Sequence, residues 1–425
     1  MMPYLVYFGL PVVLLLIGFP IFLILTVTSI VAVFTVAGVP TETIQTYMFG
    51  SLDNFPLLAV PFFVLAGEIM AQGGIARRVV AWVMSLIGGV RGSLAVTTVA
   101  ASELFGAMSH TAVGTVIAMG RMIYPSLRES GYSERFSVGL VASSGAIAVV
   151  IPPSIAMILY SMSAQQSAVL LFTAGILPSL LIGFVDAVFV MGYAKIQVVP
   201  LAARARWDNI WATTKDASWS IGTLVVIFGG IYGGVFTPTE AAGVAVVYSL
   251  IVTLFIYREV DLAGLWRILT NAAFLISQIL IIVTAAGIYS WLLTTSGIPQ
   301  KIVANVEGLH MAKWELLLYL NAGLLLAGSF LEPAPAILIL TPLLLPIVTA
   351  VGVSPIHFGI IMAVNLSIGM YTPPFGLNLF SSQAVFDTPI GKVYAGVLPF
   401  VLINFATLML ITYVPQISMV LLSYR

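Results

Sequence analysis

A chain of 425 residues that is 60% hydrophobic and 8% charged cannot cover a water-soluble surface, for which about 25% charge is usual. Its 16 basic and 16 acidic residues balance to zero net charge, and no basic tract suggests nucleic acid or a polybasic lipid switch. With no cysteine, disulfides, thiol catalysis and cysteine metal sites are excluded. The three histidines (His110, His310, His357) are too scattered for a transition-metal site.

Apolar runs of about 20 residues, the length that crosses a bilayer, recur from the first residues to the last. They predict an all-α polytopic membrane protein. The N-terminus has no charged n-region and no small-residue cleavage site, so Pro3 onward is expected to be a membrane helix, not a signal peptide. The first predicted segments are 4–37, kinked at Gly18-Phe19-Pro20, then 54–72 and 79–90. A broken pair at 93–109 and 111–125 follows, then 137–162 and 168–195. Residues 198–218 are more polar, with Arg204, Arg206, Asp208, Lys215 and Asp216 beside Trp207, Trp211 and Trp219. That mixture reads either as an interfacial amphipathic connector or as a solvated loop. The pattern restarts at 219–236, 240–257, 265–296, 315–330, 333–350, 357–384 and 393–422. At the start of 240–257, Thr239 is the expected cap, with Glu240 in the first turn.

The restart has the form of a repeat. Pro125, Gly131, Pro152 and Pro153 match Pro346, Gly352, Pro373 and Pro374 at an offset of 221, while Gly74, Ile75 and Arg78 match Gly297, Ile298 and Lys301 at 223. Arg77, Arg78 and Arg91 precede 93–125, and Arg121, Arg128 and Arg135 follow its start and end. If positive loops are cytoplasmic, that segment leaves and returns on one face, as a re-entrant hairpin. The second-half flanks hold only Lys301 and Lys313, as expected for entry from the opposite face. The predicted organisation is a first inverted repeat at 1–197, a connector at 198–218 and a second inverted repeat at 219–425. Each repeat carries a hairpin (about 93–125 and about 315–350) and a proline-broken helix (about 137–162 and about 357–384).

The chemistry is expected at the breaks. Ile151-Pro152-Pro153-Ser154 and Thr372-Pro373-Pro374-Phe375 each remove two backbone donors inside an apolar run, which is tolerable in a membrane only where freed carbonyls line a cavity or meet protein. The hairpins should turn near Gly106 to Thr111 and near Gly328 to Pro335. Exposed carbonyl ends attract Na⁺ and exposed amide ends attract an anion, so no buried carboxylate pair is required for coupling. The Thr372 hydroxyl can supplement carbonyls as a cation ligand. The scarce intramembrane acids, Glu68, Glu103, Asp186, Glu240 and Glu332, are functional candidates by default. A channel would need a continuous polar face, an enzyme a catalytic constellation, and a primary pump a nucleotide loop; the sequence has none of these. What remains is a secondary carrier, for which a stand-alone carrier of organic anions or of cations is one reading.

The chain resembles the large membrane subunit of a tripartite ATP-independent periplasmic (TRAP) transporter, the DctM type. The resemblance spans essentially the whole chain and rests on Phe105-Gly106-Ala107, Ile151 to Ser154, Phe236 to Ala242, Thr341-Pro342 with Leu345-Pro346, and Thr372 to Asn378. It implies Na⁺-driven uptake of an organic acid across the bacterial or archaeal inner membrane. It also implies a periplasmic substrate-binding protein (DctP type), a small four-helix membrane subunit (DctQ type), and an elevator-type transport core moving against a scaffold, with Na⁺ as the coupling ion and no organic cofactor. Carried over by resemblance, one Na⁺ site would involve Ser109, Gly145, Ala148 and Ile151, and a second Gly328, Gly369, Thr372 and Phe375. His110, Thr111, Ser154, Glu332 and Asn378 are the substrate-pocket candidates. The first tip reads Ser109-His110-Thr111-Ala112 where Ser-Gly-Ser-Ser is common, and Ala148 stands where glycine is common.

Overall fold

The computed structural model describes residues 2–200 and 205–424; Arg204 of the predicted connector lies outside them. In chain order the helices are α1 Met2–Ile17, α2 Ile21–Ala37, α3 Glu42–Gly50, α4 Phe55–Gln72 and α5 Ile75–Leu86. The first hairpin is α6 Ser93–Ser109 and α7 Ala112–Glu129. The first broken helix is α8 Glu134–Ala146 and α9 Ile155–Ser163, followed by α10 Ala168–Ile196. Then come α11 Trp207–Asp216, α12 Ser218–Tyr232, α13 Pro238–Tyr257, α14 Leu262–Thr295 and α15 Ile298–Gly308. The second hairpin is α16 Lys313–Phe330 and α17 Pro333–Ala350; the second broken helix is α18 Pro355–Gly369 and α19 Leu377–Phe386, and α20 Ile390–Tyr413 follows. Among the described residues, α4, α10, α13, α14, α17 and α20 are long and apolar enough to cross a membrane singly, and there is no strand.

Four expectations are corrected. Residues 4–37 are not one kinked span. Gly18 takes φ 91°, which favours glycine, and Pro20 is extended, so the chain turns back and Leu5–Gly9 packs on the second helix. Residues 79–90 are not a span either: α5 is a short amphipathic helix that buries Ile75, Val79, Val80 and Val83. The cap of α13 is Thr237, not Thr239. Thr237 and Glu240 form a capping box around Pro238 at the first helical position, and the Thr239 hydroxyl instead donates to the Phe55 carbonyl at 3.4 Å. The segment predicted at 393–422 is interrupted: α20 stops at Tyr413, ahead of Pro415, and a short helix, Gln416–Met419, follows.

Within the connector, α11 docks on α5. Trp82 Nε1 donates to Thr214 Oγ1 at 3.0 Å, the Ser85 and Thr213 hydroxyls lie 2.7 Å apart, and Arg78 pairs with Asp216 and Glu259. Trp207 and Trp211 stay exposed, as suits side chains at a membrane interface.

Two groups of helices pack internally. In one, α4 lies on α13 and α14 lies on α2, α3 and α4. In the other, both hairpins clasp the broken helices: α6 and α7 on α8, α16 and α17 on α18, with α10 and α20 alongside. The long helix α14 also runs against α17. Matched positions of the two halves share backbone geometry. Gly74 and Gly297 have φ 77° and 71°, Gly131 and Gly352 have 88° and 74°, and Pro152–Pro153 and Pro373–Pro374 are both cis.

Candidate functional site

Each hairpin tip meets its neighbouring break through residues too small to hold the backbones apart. A Cβ on Gly106 would stand 2.5 Å from the Ala148 Cβ, and one on Gly145 would stand 2.5 Å from Val116 Cγ2. In the second half the contact is backbone on backbone: a Cβ on Gly369 would lie 2.5 Å from the Gly328 carbonyl carbon. Such approaches require glycine or alanine. The tip of the first hairpin also rests on α4, where a Cβ on Gly67 would come within 3.0 Å of the Ser109 carbonyl oxygen.

Prolines at 152, 153, 373 and 374 have no N–H to offer the carbonyls four residues earlier, those of Ala148, Val149, Gly369 and Met370. Local donors take up part of the deficit. Ser154 Oγ bonds the Val149 carbonyl, Thr372 N donates to Gly369 O at 3.0 Å, and Asn378 N donates to Met370 O at 2.8 Å. At the first tip, Ser109 Oγ lies 3.0 Å from Thr115 Oγ1. His110, with φ 55°, brings Nδ1 to 3.0 Å from the Pro153 carbonyl. At the second break, Thr372 Oγ1 donates to Ile368 O at 2.8 Å, which leaves its lone pairs unspent. Phe375 is exposed, its ring 5.1 Å from that of Phe330 at the second tip.

Between the tips and breaks lies a cavity of about 130 Å³ lined by His110, Thr111, Ser154, Glu332, Met370 and, from α14, Gln278. Three helix N-termini open on it: α7 at Ala112, α9 at Ile155 and α17 at Pro333. N-cap residues Thr111, Ser154 and Glu332 lie at its wall, and no lysine or arginine is among its lining residues. Aligned peptide dipoles give each such terminus about half a positive charge, so the wall attracts an anion through its backbone. Four of the five pocket candidates therefore meet. The fifth, Asn378, is not among the lining residues: it is buried and donates Nδ2 to the Ala142 carbonyl at 3.1 Å, tying the second break to the first broken helix.

Residues 8–417 match the family described as "Tripartite ATP-independent periplasmic transporter, DctM component". The chain belongs to this family. It is thus a transporter component and not an enzyme, a multi-pass protein of the inner membrane. The C4-dicarboxylate TRAP transporter large permease protein DctM of Pseudomonas aeruginosa is 40% identical over 374 residues, 88% of either chain. The isethionate TRAP transporter permease protein DctMQ of Oleidesulfovibrio alaskensis is 37% identical over 98% of this chain and 66% of its own length. The crystal structure of the Alcanivorax borkumensis YdaH transporter superposes with a TM-score of 0.63 at 14% identity, over 95% of this chain and 97% of that one, a likeness of fold alone.

Some polar members of this candidate site escape motif reading. Asn365 donates to Asn321 Oδ1 at 2.6 Å, joining the second broken helix to the second hairpin, and Ser367 Oγ donates to the Ala146 carbonyl at 2.7 Å, joining the two broken helices. Each is a lone amide or hydroxyl in an apolar run, the pattern that favours polar contacts between membrane helices.

Proposed function

We propose that this chain is the translocating subunit of a Na⁺-coupled, binding-protein-dependent uptake system for an organic acid. The observation that carries the reading is the convergence of three helix N-termini on one cavity between two hairpin tips and two proline breaks. Amide ends face the substrate anion while carbonyls freed at the breaks hold cations. The first Na⁺ is bound around Ser109, Gly145, Ala148 and Ile151, and the second around Gly328, Gly369, Thr372 and Phe375. His110, Thr111, Ser154 and Glu332 surround the substrate, and Asn378 acts by bracing the break.

The two halves are related as inverted repeats, 1–197 and 219–425, in keeping with the matched offsets and backbone angles. Hairpins, broken helices, α10 and α20 form the moving core of an elevator; α2, α4, α13 and α14 form the scaffold. The cavity takes part of its wall from α14, which suits a site that moves past a fixed helix. A DctP-type binding protein delivers substrate and a DctQ-type subunit completes the scaffold, in line with the tripartite family description and a DctMQ-named relative. The named substrates of the two relatives, a C4-dicarboxylate and isethionate, are both organic anions, the class a dipole-lined cavity accepts.

The test is uptake into vesicles holding the reconstituted complex, with substrate supplied on its binding protein. Uptake is expected to need a Na⁺ gradient and the binding protein. Uptake unchanged in K⁺ would remove the coupling assignment, and uptake of free substrate at the same rate would favour a stand-alone carrier.

A further inference from the structure

A second polar centre lies away from the cavity. Glu103 on α6 seats its carboxyl in the notch that Gly183 leaves on α10: a Cβ on Gly183 would collide with the Glu103 carboxylate. Asp186 is three residues further along α10, on the same helix face, a spacing that sets Cβ atoms about 5–6 Å apart. Asp186 is wholly buried, and Glu103 Oε1 is buried with no hydrogen-bond partner among the described residues. From α20, Asn404, 1% exposed, donates Nδ2 to Asp186 Oδ1 at 3.1 Å and to Oδ2 at 3.4 Å. Its Oδ1 has no partner among the described residues.

No basic side chain among the described residues pairs with either acid. The titratable groups that act on the pair are the two acids themselves and Tyr371. On surrounding elements, Lys392 is paired with Glu134, His110 is held at the Pro153 carbonyl, and His357 is held by Ser418 and Thr412. Two unpaired negative charges this deep in a membrane protein are too costly to persist. Either a cation or a proton must neutralise at least one. A metal cation needs several oxygen ligands, which unwound backbone supplies at the breaks. Glu103, Asp186 and Asn404 instead sit inside intact helices whose carbonyls are engaged. A proton needs one oxygen and one acceptor.

We propose that Glu103 and Asp186 form a proton-binding site, separate from the two cation sites, with Asn404 as its positioning residue. One carboxyl carries the proton while Asn404 supports the other as carboxylate. Because α6, α10 and α20 all pack with the broken helices, the proton travels with the substrate-binding core and is exchanged during the transport cycle.

The test uses the full chain in nanodiscs and in vesicles with its partner proteins. Infrared spectra of wild type at neutral pH are expected to contain a carboxylic-acid carbonyl band, sensitive to deuterium exchange, that the isosteric double variant Glu103→Gln/Asp186→Asn lacks. Glu103→Gln alone, altering only the partly exposed member, is the fallback if the double variant misfolds, and is expected to weaken the same band. Absence of any such band in wild type would overturn the site. So would a loss of about one bound ²²Na⁺ per chain in the variant with the band unchanged, since that places a metal ion there. The exchange step rests on the Na⁺-driven reading above, whereas the band does not. In vesicles the double variant is expected to lose the pH dependence of uptake, and a profile identical to wild type would overturn exchange during the cycle.

Discussion

The two tip-and-break junctions are built on one plan and finished differently. In the second, glycine meets glycine, and the Thr372 hydroxyl donates to Ile368 O and keeps its lone pairs unspent. In the first, Gly106 meets Ala148, and polar side chains occupy much of the junction: Ser109 is engaged by Thr115, and His110 by the Pro153 carbonyl. Equal backbone geometry therefore does not mean equal ligand supply. The second junction has oxygen to spare, and the first has committed more of its own to holding the hairpin tip in place.

The largest effect should come from destroying the tighter contact. Gly369→Ala sets a Cβ against the backbone of Gly328, where no side chain can yield, at a cost of about 3 kcal/mol, the top of the overpacking range. In the proposed scheme this weakens Na⁺ affinity roughly 150-fold, measured as the Na⁺ concentration for half-maximal uptake. An unchanged value would separate the Gly–Gly contact from cation binding. Next is Thr372→Val, which keeps shape and removes one oxygen. A loss of about 2 kcal/mol lowers Na⁺ affinity roughly 30-fold, whereas Thr270→Val, on an exposed, back-bonded threonine of α14, should leave uptake unaltered. Equal responses at the two threonines would mean that Thr372 only shapes the break.

Ser109→Ala at the first junction should cost less, about 1 kcal/mol or roughly fivefold in Na⁺ affinity, because its hydroxyl is already shared with Thr115. A loss exceeding that of Thr372→Val would reverse the ranking of the two sites. The smallest change is expected from Ala148→Gly, which gives the first junction the small residue of the second. It should cost about 0.5 kcal/mol, roughly twofold in affinity, with thermal unfolding nearly unmoved.

The architecture was legible because prolines and chain-reversing glycines act locally. A Pro–Pro pair breaks a helix wherever it stands, so both interruptions and both hairpin turns fell where 151–154, 372–375, Gly106 to Thr111 and Gly328 to Pro335 indicated. The corrected elements have separate causes. Segment 79–90 is hydrophobic enough for a span but too short for one, and Arg77 and Arg78 just before it in α5 pair with Glu259 and Asp216, partners far away in sequence. Thr237 stands three residues before Glu240, the spacing of a capping box, a local signal that the neighbouring Thr239 obscures. Long-range polar contacts such as Ser367 with Ala146, or Asn404 with Asp186, depend on which helix faces which, and hydropathy carries no such information.

The hydrogen bonds from Ser367 to Ala146 and from Asn378 to Ala142 stitch the two broken helices into a single seam. In the proposed scheme the two breaks move as one piece, so a cation held at one would depart together with a cation held at the other. Stoichiometry then becomes a property of carpentry instead of timing. A half-filled carrier differs from a full one in the load it bears, while the parts that move stay the same. In the proposed elevator, the guard against slippage would therefore lie in the energy of an unfilled oxygen cage meeting the long helix it has to pass.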